Sequence, residues 1–179
     1  SDRCALAVER SPHLQKCKFI VNLQCDEPDI TGKDLDSLIE FHSDELCLPH
    51  FDVTTYAYSP TEPAEIDDPN NAKVVTDEFD SALYFSRQPL PGALIHVGVY
   101  AFYQRSLEHF TKGEYSRTGR LEELERLEQL RILERDNLSR NGHKIYVMNL
   151  GRPVRSINTP ADVERFNLTT GKQLAEKFV

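Results

Sequence analysis

The chain has 179 residues, a length that favours a single domain. Its 21 lysines and arginines against 29 aspartates and glutamates give a formal charge of −8, and 39% of the residues are hydrophobic. This apolar content excludes a disordered chain, and no apolar run approaches the roughly 18 residues of a membrane-spanning helix. The acidic balance argues against a general nucleic-acid binder. We therefore expect a soluble globular protein with no nucleic-acid partner and no membrane insertion.

The four cysteines all fall within the first 47 residues and include no Cys-x-x-Cys pair. Zinc sites need ligands paired at short spacing, and disulfide-stabilised domains are smaller and richer in cysteine. Reduced thiols and a cytoplasmic location are therefore expected. The residues from Ser1 onward have neither the basic segment nor the apolar run of a signal peptide.

The first part of the chain predicts a helix, a strand and a second helix. The first helix is expected over Arg3–Arg10, and the apolar run Lys18–Leu23 predicts a strand buried on both faces. Thr31 can cap the next helix. The apolar positions of that helix follow helical spacing at Leu35, Leu38, Ile39 and His42. A strand, an acidic loop and a helix in this order are typical of an α/β fold.

The middle of the chain predicts β structure, and the last third is mostly helical. Strands are expected at Asp52–Ser59, Lys73–Thr76, Ala82–Phe85, Ile95–Tyr103 and Lys144–Leu150. Three prolines predict a loop over Pro60–Asn71, and regularly spaced leucines predict one helix over Leu121–Arg140, stopped by Asn141-Gly142. Thr159 can cap a further helix, and Thr170–Phe178 predicts a final short one.

Two acidic sites are candidates for binding chemistry. Asp26 and Glu27 follow the Lys18–Leu23 strand, where α/β sheets bind ligands, so a carboxylate there can hold Mg²⁺; an ordinary acidic surface loop is the alternative. Glu128 stands where the long helix should present an apolar residue, which suggests a polar cavity, although pairing with a nearby arginine is the alternative. Gln129 adds an amide that can donate and accept.

The strand Ile95–Tyr103 carries a third candidate. Two-residue alternation puts His96, Gly98 and Tyr100 on one face, where they can form a polar patch beside a ligand or can be ordinary core residues. Gly98 marks a bulge or a close approach of backbone. Arg87 can hold a carboxylate or phosphate with two parallel hydrogen bonds. The chain has no Walker, Rossmann, nucleophile-elbow or His-Glu-x-x-His motif.

These residues, taken in order, resemble the 3-deoxy-manno-octulosonate (Kdo) cytidylyltransferases. Ile20–Pro28 is similar to the family's Val-Asn-x-Gln-Gly-Asp-Glu-Pro, and Asp68–Val75 with Ala82–Arg87 resembles Pro-Asn-x-x-Lys-Val-Val and Ala-Leu-Tyr-Phe-Ser-Arg. His96–Tyr100 resembles His-x-Gly-x-Tyr. Two further matching segments follow at the expected places, Leu127–Arg131 and Asn158–Asp162.

The resemblance implies an α/β fold of the nucleotide-diphospho-sugar transferase type, a three-layer, Rossmann-like arrangement around a mixed sheet. It also implies a homodimer and a cytoplasmic nucleotidyltransferase reaction for lipopolysaccharide biosynthesis. In that reaction CTP and Kdo give CMP-Kdo and pyrophosphate. The anomeric hydroxyl of Kdo attacks the α-phosphate, a step that needs positioning and charge neutralisation.

The family pattern also implies residue roles. Asp26 is expected to be the catalytic Mg²⁺ ligand, with Asn158 at a second metal position where the family has an aspartate. Arg3 is expected on the nucleotide side. The resemblance places six residues around the sugar acid, namely Gln24, Arg87, His96, Tyr100, Glu128 and Gln129. Cys25 and Asn158 depart from the family pattern, since Cys25 replaces a glycine and an amide at 158 brings no negative charge.

The family's first strand and its basic triphosphate loop have no match in the chain. We therefore interpret residues 1–179 as the carboxyl-terminal majority of a single cytidylyltransferase domain without its first strands, and we expect these residues alone not to turn over CTP. The alternatives are a non-catalytic homologue that binds a sugar or a partner, and a cytidylyltransferase for another 2-keto sugar acid.

Overall fold

The computed structural model describes residues 2–43, 51–112, 119–136 and 144–177. Its helices are α1 (Asp2–Arg10), α2 (Gly32–Ser43), α3 (Pro63–Asp67), α4 (Gln104–Lys112), α5 (Arg120–Glu125), α6 (Leu130–Asp136) and α7 (Pro160–Lys177). Its strands are β1 (Phe19–Leu23), β2 (Phe51–Tyr58), β3 (Lys73–Thr76), β4 (Ala82–Ser86), β5 (Leu94–Tyr103) and β6 (Lys144–Asn149). A short 3₁₀ turn at Leu14–Lys16 connects α1 to β1.

The strands of the described segments form one mixed sheet around β5. The strand order is β4-β3-β5-β2-β6, and β1 also pairs with β5. The β2–β6 pair is parallel, whereas the other pairs are antiparallel. Since β3 pairs with the start of β5 and β1 with its end, β5 contacts three strands.

Each face of the sheet packs against helices. On one face, α1, α4 and the α5–α6 segment contribute Val8, Leu107 and Leu130 to a core with Val53 and Phe102 of the sheet. The second face carries another core, in which α2 packs against the sheet. The three layers and the mixed sheet confirm the predicted fold class.

Most predicted elements are confirmed, including the helix start predicted at Thr31. The Thr31 backbone N–H and hydroxyl both donate to Asp34 Oδ2 at 2.7 Å, so one carboxylate satisfies the start of the helix. The strand predicted at Lys18–Leu23 is only half-buried as β1, although Ile20 and Val21 pack against opposite cores. Its only strand partner among the described residues is β5, which leaves it at an edge.

The predicted loop Pro60–Asn71 contains a helix, α3, so the prediction was wrong there. Pro63 occupies the first turn, where its missing N–H needs no partner, and Glu62 and Glu65 form a reciprocal capping box. A proline cluster thus begins a helix at this point rather than preventing one.

The single helix predicted over Leu121–Arg140 is also wrong. The chain forms α5, turns at residues 126–129 and then begins α6. Arg126 has a left-handed backbone, with φ 56° and ψ 40°, which ends α5. Glu128 and Gln129 therefore lie in a turn and not on a helical stripe. The predicted stop at Asn141-Gly142 lies outside the described residues.

The separate helix predicted at Thr170–Phe178 is instead the end of α7, which runs from Pro160 to Lys177. Its predicted start is correct: the Thr159 backbone N–H and hydroxyl donate to Asp162 Oδ2 at 2.7 and 2.8 Å. Across the described segments, no helix has the length and apolar character needed to cross a membrane.

Candidate functional site

A cavity of about 210 Å³ opens on the face of the sheet that packs against α1 and the α5–α6 segment. Its walls come from the end of β1, the loop before β3, the end of β4, the face of β5, the α5–α6 turn and the segment before α7. Eight of the nine predicted site residues line it, namely Gln24, Asp26, Arg87, His96, Tyr100, Glu128, Gln129 and Asn158. The fold thus brings together residues that are spread over 134 positions of sequence.

Four residues of β5 line this cavity: His96, Gly98 and Tyr100, as alternation predicts, and Phe102. The bulge predicted at Gly98 is confirmed, and the close approach there is made by side chains. The pairing of β5 with β2 shifts register here, since Thr55 lies opposite Tyr100 but Tyr56 lies opposite Val97. A Cβ on Gly98 would also collide with the Gln24 side chain. The absence of a side chain at Gly98 therefore lets Gln24 lie across the strand.

His96 is buried, and Thr55 orients its ring. The Thr55 hydroxyl lies 2.7 Å from the Val99 carbonyl and 3.0 Å from His96 Nε2. Because that hydroxyl has one proton to donate, and the carbonyl can only accept, the Thr55 oxygen accepts from Nε2–H. Burial lowers the pKa of His96 to about 3, so the ring is neutral. Nδ1 then remains a hydrogen-bond acceptor without a partner among the described residues.

Tyr100 lies beside this ring, with the two ring centroids 5.4 Å apart. Burial raises the pKa of Tyr100, and the nearby carboxylates, Glu128 foremost, raise it further. Its hydroxyl therefore stays protonated and can both donate to and accept from a ligand hydroxyl.

Glu27 connects three segments beneath the cavity. One carboxylate oxygen accepts from the Gly98 N–H at 2.8 Å and the other from the Ser156 hydroxyl at 2.9 Å. Burial raises its pKa, although these two hydrogen bonds oppose the shift. Glu27 thus ties the loop after β1 to β5 and to the segment before α7.

Asp26 and Asn158 meet at the same wall, because the Ile157 N–H donates to the Asp26 carbonyl at 2.8 Å. Neither side chain has a hydrogen-bond partner among the described residues, and both face the cavity. In that part of the chain no three acidic, histidine or cysteine side chains gather closely enough to hold a metal ion. A carboxylate and an amide oxygen still fit Mg²⁺, which commonly keeps waters and shares substrate phosphates.

Two cations hold the loop before β3 against the end of β4. The fully buried ammonium of Lys73 donates to the carbonyls of Asp68, Asn71 and Arg87 at 2.6–2.8 Å. Arg87 Nη1 donates to the carbonyls of Pro69 and Asn70 at 3.1 and 3.2 Å. One end of the Arg87 guanidinium is thereby fixed, while its other N–H groups have no partner among the described residues.

The α5–α6 turn is attached to β4 through Glu125. Its carboxylate accepts from the hydroxyls of Tyr84 and Ser86 and from the Arg87 N–H, at 3.0–3.2 Å. The next residue, Arg126, lines the cavity. This attachment explains why Glu128 and Gln129 face a cavity even though the predicted helix is broken.

Arg3 is the predicted site residue that does not line the cavity. It lies exposed on α1, next to Asp2, whose N–H donates to Glu128 Oε1 at 3.3 Å. The first turn of α1 thus borders the wall that Glu128 forms, and the expected role of Arg3 toward a nucleotide stays a prediction.

Sequence reasoning missed four residues that build the site: Glu27 as a buried link, Lys73, Glu125 and Arg126. The sequence indicates Glu27 only as one of two possible metal carboxylates. No local pattern identifies the other three, since the contact of Lys73 with Arg87 and all the hydrogen-bond partners of the Glu125 carboxylate depend on the folded sheet. An acidic residue followed by an arginine inside a leucine pattern looks like an ordinary helix surface.

A solved structure of CMP:2-keto-3-deoxy-manno-octonic acid synthetase complexed with CTP has a similar fold. It superposes with a TM-score of 0.77 over 96% of this chain and 68% of that protein, at 26% identity. The fold and the cavity thus define an α/β protein of the nucleotidyltransferase class.

The relatives narrow this class. A 3-deoxy-manno-octulosonate cytidylyltransferase from Synechococcus elongatus is 36% identical over 177 residues, covering 93% of this chain and 66% of the relative. An 8-amino-3,8-dideoxy-manno-octulosonate cytidylyltransferase from Shewanella pealeana is 36% identical over 156 residues, covering 81% and 58%. The chain thus spans roughly two thirds or less of the length of these relatives. A family model described as Cytidylyltransferase matches residues 1–145. The chain belongs to the cytidylyltransferase family.

Proposed function

We propose that the protein transfers CMP from CTP to the anomeric hydroxyl of a 2-keto sugar acid of the Kdo type. The observation that carries this proposal is the cavity itself, because eight residues expected at a sugar and metal site line it together. Its volume is below the roughly 300–1,000 Å³ of pockets for drug-sized ligands, which suits a monosaccharide better than a whole nucleotide.

The neutral groups of the cavity suit a polyhydroxylated ligand. His96 Nδ1 can accept a hydrogen bond from a sugar hydroxyl, and Tyr100 can donate and accept. The amides of Gln24 and Gln129 add donors and acceptors on two further walls. The partly anchored guanidinium of Arg87 offers its remaining N–H groups to the sugar carboxylate.

The proposed reaction is a single displacement at phosphorus. The anomeric oxygen of the sugar forms a bond to the α-phosphorus of CTP, the bond from that phosphorus to the bridging oxygen breaks, and pyrophosphate leaves. The hydroxyl proton passes to solvent. Positioning of the hydroxyl by the cavity is the contribution of this chain's residues, because this chemistry depends on alignment and charge neutralisation.

Asp26, with Asn158 beside it, is the proposed holder of Mg²⁺. When bound, the ion would neutralise phosphate charge that an acidic chain of net charge −8 cannot neutralise through many lysines and arginines. The two side chains supply hard oxygen ligands and have no competing hydrogen bonds among the described residues. Homodimerisation and a cytoplasmic location stay predictions.

Pyrophosphate release with CTP and Mg²⁺ tests the proposal. Kdo, 8-amino-3,8-dideoxy-manno-octulosonate and N-acetylneuraminate should be compared, on the 179-residue chain and on the product of its complete reading frame. The expected result is release with a Kdo-type acid that Asp26→Asn abolishes. Asp36→Asn, at an exposed aspartate of α2, is the matched control.

The outcomes separate the alternatives. Release by the 179-residue chain itself would contradict the sequence-based expectation that this chain alone is inactive. Sugar binding without pyrophosphate release from either protein would favour a non-catalytic sugar-binding homologue. A preference for the 8-amino acid is the second candidate function, since relatives with that printed name are as similar as the Kdo enzymes.

A further inference from the structure

The turn between α5 and α6 holds an arginine in a backbone conformation that usually belongs to glycine. Arg126 has φ 56°, and its N–H closes the helix by donating to the Glu122 carbonyl at 2.7 Å. A glycine at this position would avoid the steric cost of a Cβ in the left-handed region. The local backbone therefore favours glycine over arginine at this position. A role for the arginine side chain would explain why an arginine is present.

The turn is rigidly attached at both ends. Glu125 accepts hydrogen bonds from Tyr84, Ser86 and the Arg87 N–H, and Leu127 is buried in the core. Glu125 immediately precedes Arg126, so the hydrogen bond from the Arg87 N–H to the Glu125 carboxylate connects the two arginines. Both arginines line the same cavity.

Arg87 and Arg126 are the positively charged side chains among the described residues that line the cavity. The other ionisable lining residues of the described chain are the acids Asp26, Glu27 and Glu128, besides the buried neutral groups His96 and Tyr100. An anion in such a cavity is repelled by the carboxylates and attracted to the guanidinium groups. The Arg126 guanidinium has no hydrogen-bond partner among the described residues, so it can bind a ligand without losing an existing contact.

We propose that Arg126 is a second anion-binding residue of the cavity and acts with Arg87 to bind the carboxylate of the sugar acid. This inference rests on the proposed function, since it assumes that a sugar acid occupies the cavity. Glu125 is the positioning residue of this pair, because it holds the turn against β4.

Arg126→Gly tests the proposal without disturbing the turn, because glycine adopts the same backbone conformation freely. Calorimetric titration should compare Kdo with its methyl ester, which lacks the negative charge. The variant should bind Kdo about ten- to a hundredfold more weakly than the unmodified chain. Its affinity for the methyl ester and its thermal midpoint should not fall. Arg120→Ala, which removes an exposed arginine from the adjoining helix α5, is the matched control.

Each other outcome overturns the proposal in a distinct way. Equal losses for Kdo and the ester would show that Arg126 contacts sugar hydroxyls. A loss confined to CTP, titrated in parallel, would assign Arg126 to the nucleotide phosphates. Unchanged Kdo affinity in Arg126→Gly would remove the role of Arg126 and leave the proposed function standing. If the unmodified chain bound neither form of the sugar, both proposals would fall.

Discussion

Two buried histidines lie on opposite faces of the sheet, one on α2 and one on β5, and each contacts a threonine of β2. His96 contacts Thr55 on the cavity face, with Nε2 3.0 Å from the hydroxyl. His42 contacts Thr54 on the other face, with Nδ1 2.8 Å from the hydroxyl. Burial lowers the pKa of His96 to about 3 and that of His42 to about 4. By burial and pKa alone the two sites cannot be told apart.

The second ring nitrogen distinguishes them. His96 lines the cavity with its Nδ1 still able to accept a hydrogen bond. Nε2 of His42 is buried and has no hydrogen-bond partner among the described residues, and the His42 ring packs against Phe19 and Tyr103. A lowered histidine pKa therefore shows that the ring is desolvated. The residue becomes a candidate for function only when its ring can also reach a ligand. We expect His42 to affect stability and His96 to affect sugar binding.

The largest effect should come from pH, and it tests what the histidines share. Both bind a proton less readily in the folded chain than in the unfolded chain, where the pKa of histidine is about 6.5. The unfolded state therefore takes up protons first as the pH falls. Stability should be complete above pH 6.5 and decline below it by about 1.4 kcal/mol per pH unit for each histidine. For His42 the decline should continue to a pH of about 4.

Urea unfolding between pH 7.5 and 5.0 measures this slope. His42→Gln removes one titrating ring, so its free energy of unfolding should change with pH less steeply than that of the unmodified chain, by about 1.4 kcal/mol per pH unit. His13→Gln, at an exposed histidine, controls for the loss of one histidine. Parallel curves for His42→Gln and the unmodified chain would mean that His42 is not a buried neutral group.

The second prediction separates the two histidines by function. His96→Ala should weaken Kdo binding about a hundredfold, because it removes an acceptor from the cavity wall and leaves Thr55 without its ring partner. His42→Ala should leave the Kdo affinity of the folded chain unchanged while lowering its unfolding free energy by about 2–4 kcal/mol. Calorimetric titration and urea unfolding measure the two quantities. Similar losses of affinity in both variants would contradict the distinction.

The sequence predicted both β5, which carries His96, and β2, which carries the two threonines. Alternation and apolar runs depend on local geometry, so they are visible in the sequence. It also placed His96, Gly98 and Tyr100 on one face. The break after Glu125 could not be read from the chain, because the leucines continue at helical spacing through it. At the break, Glu125 is held by hydrogen bonds to Tyr84 and Ser86 of β4 and to the Arg87 N–H, which lie 38–41 residues earlier.

The link through Glu27 escaped prediction for the same reason. Its partners, Gly98 and Ser156, are 71 and 129 residues away in sequence. From the sequence, a carboxylate next to Asp26 is expected in an exposed acidic loop, whereas the structure buries Glu27. Family motifs identified the residues that face the cavity, whereas the residues that hold those in place became visible only with their tertiary contacts.

The third prediction compares Gly98 of β5 with Gly32 at the start of α2. Gly98→Ala should weaken Kdo binding, because the new Cβ would displace the Gln24 amide from the strand, and it should cost no more than about 1 kcal/mol of stability, because the displaced atoms end a flexible side chain. Gly32→Ala, in the first turn of α2, meets no atom within 4 Å and should change stability by less than about 1 kcal/mol, in the stabilising direction. Urea unfolding and Kdo titration measure both. Unchanged Kdo affinity in Gly98→Ala would mean that Gln24 does not need the bare backbone.

The smallest expected effect concerns the two threonines. Thr55→Val keeps the side-chain shape but removes the oxygen that accepts from His96 Nε2–H, so the ring loses the contact that fixes its tautomer. Kdo affinity should fall about five- to tenfold. Thr54→Val removes the corresponding contact of His42 and should cost about 1 kcal/mol of stability without changing Kdo affinity.

Nitrogen-15 spectra of the histidine rings separate positioning from simple loss of packing. In the unmodified chain His96 should show the Nε2–H form, since the proton of Thr55 is committed to the Val99 carbonyl. Thr55→Val should shift the ring toward a mixture of tautomers, whereas Thr54→Val should leave the His96 signal in place. If Thr55→Val lowered affinity with no change in the His96 tautomer, Thr55 would act through packing alone, and the two threonines would differ only in which face of the sheet they support.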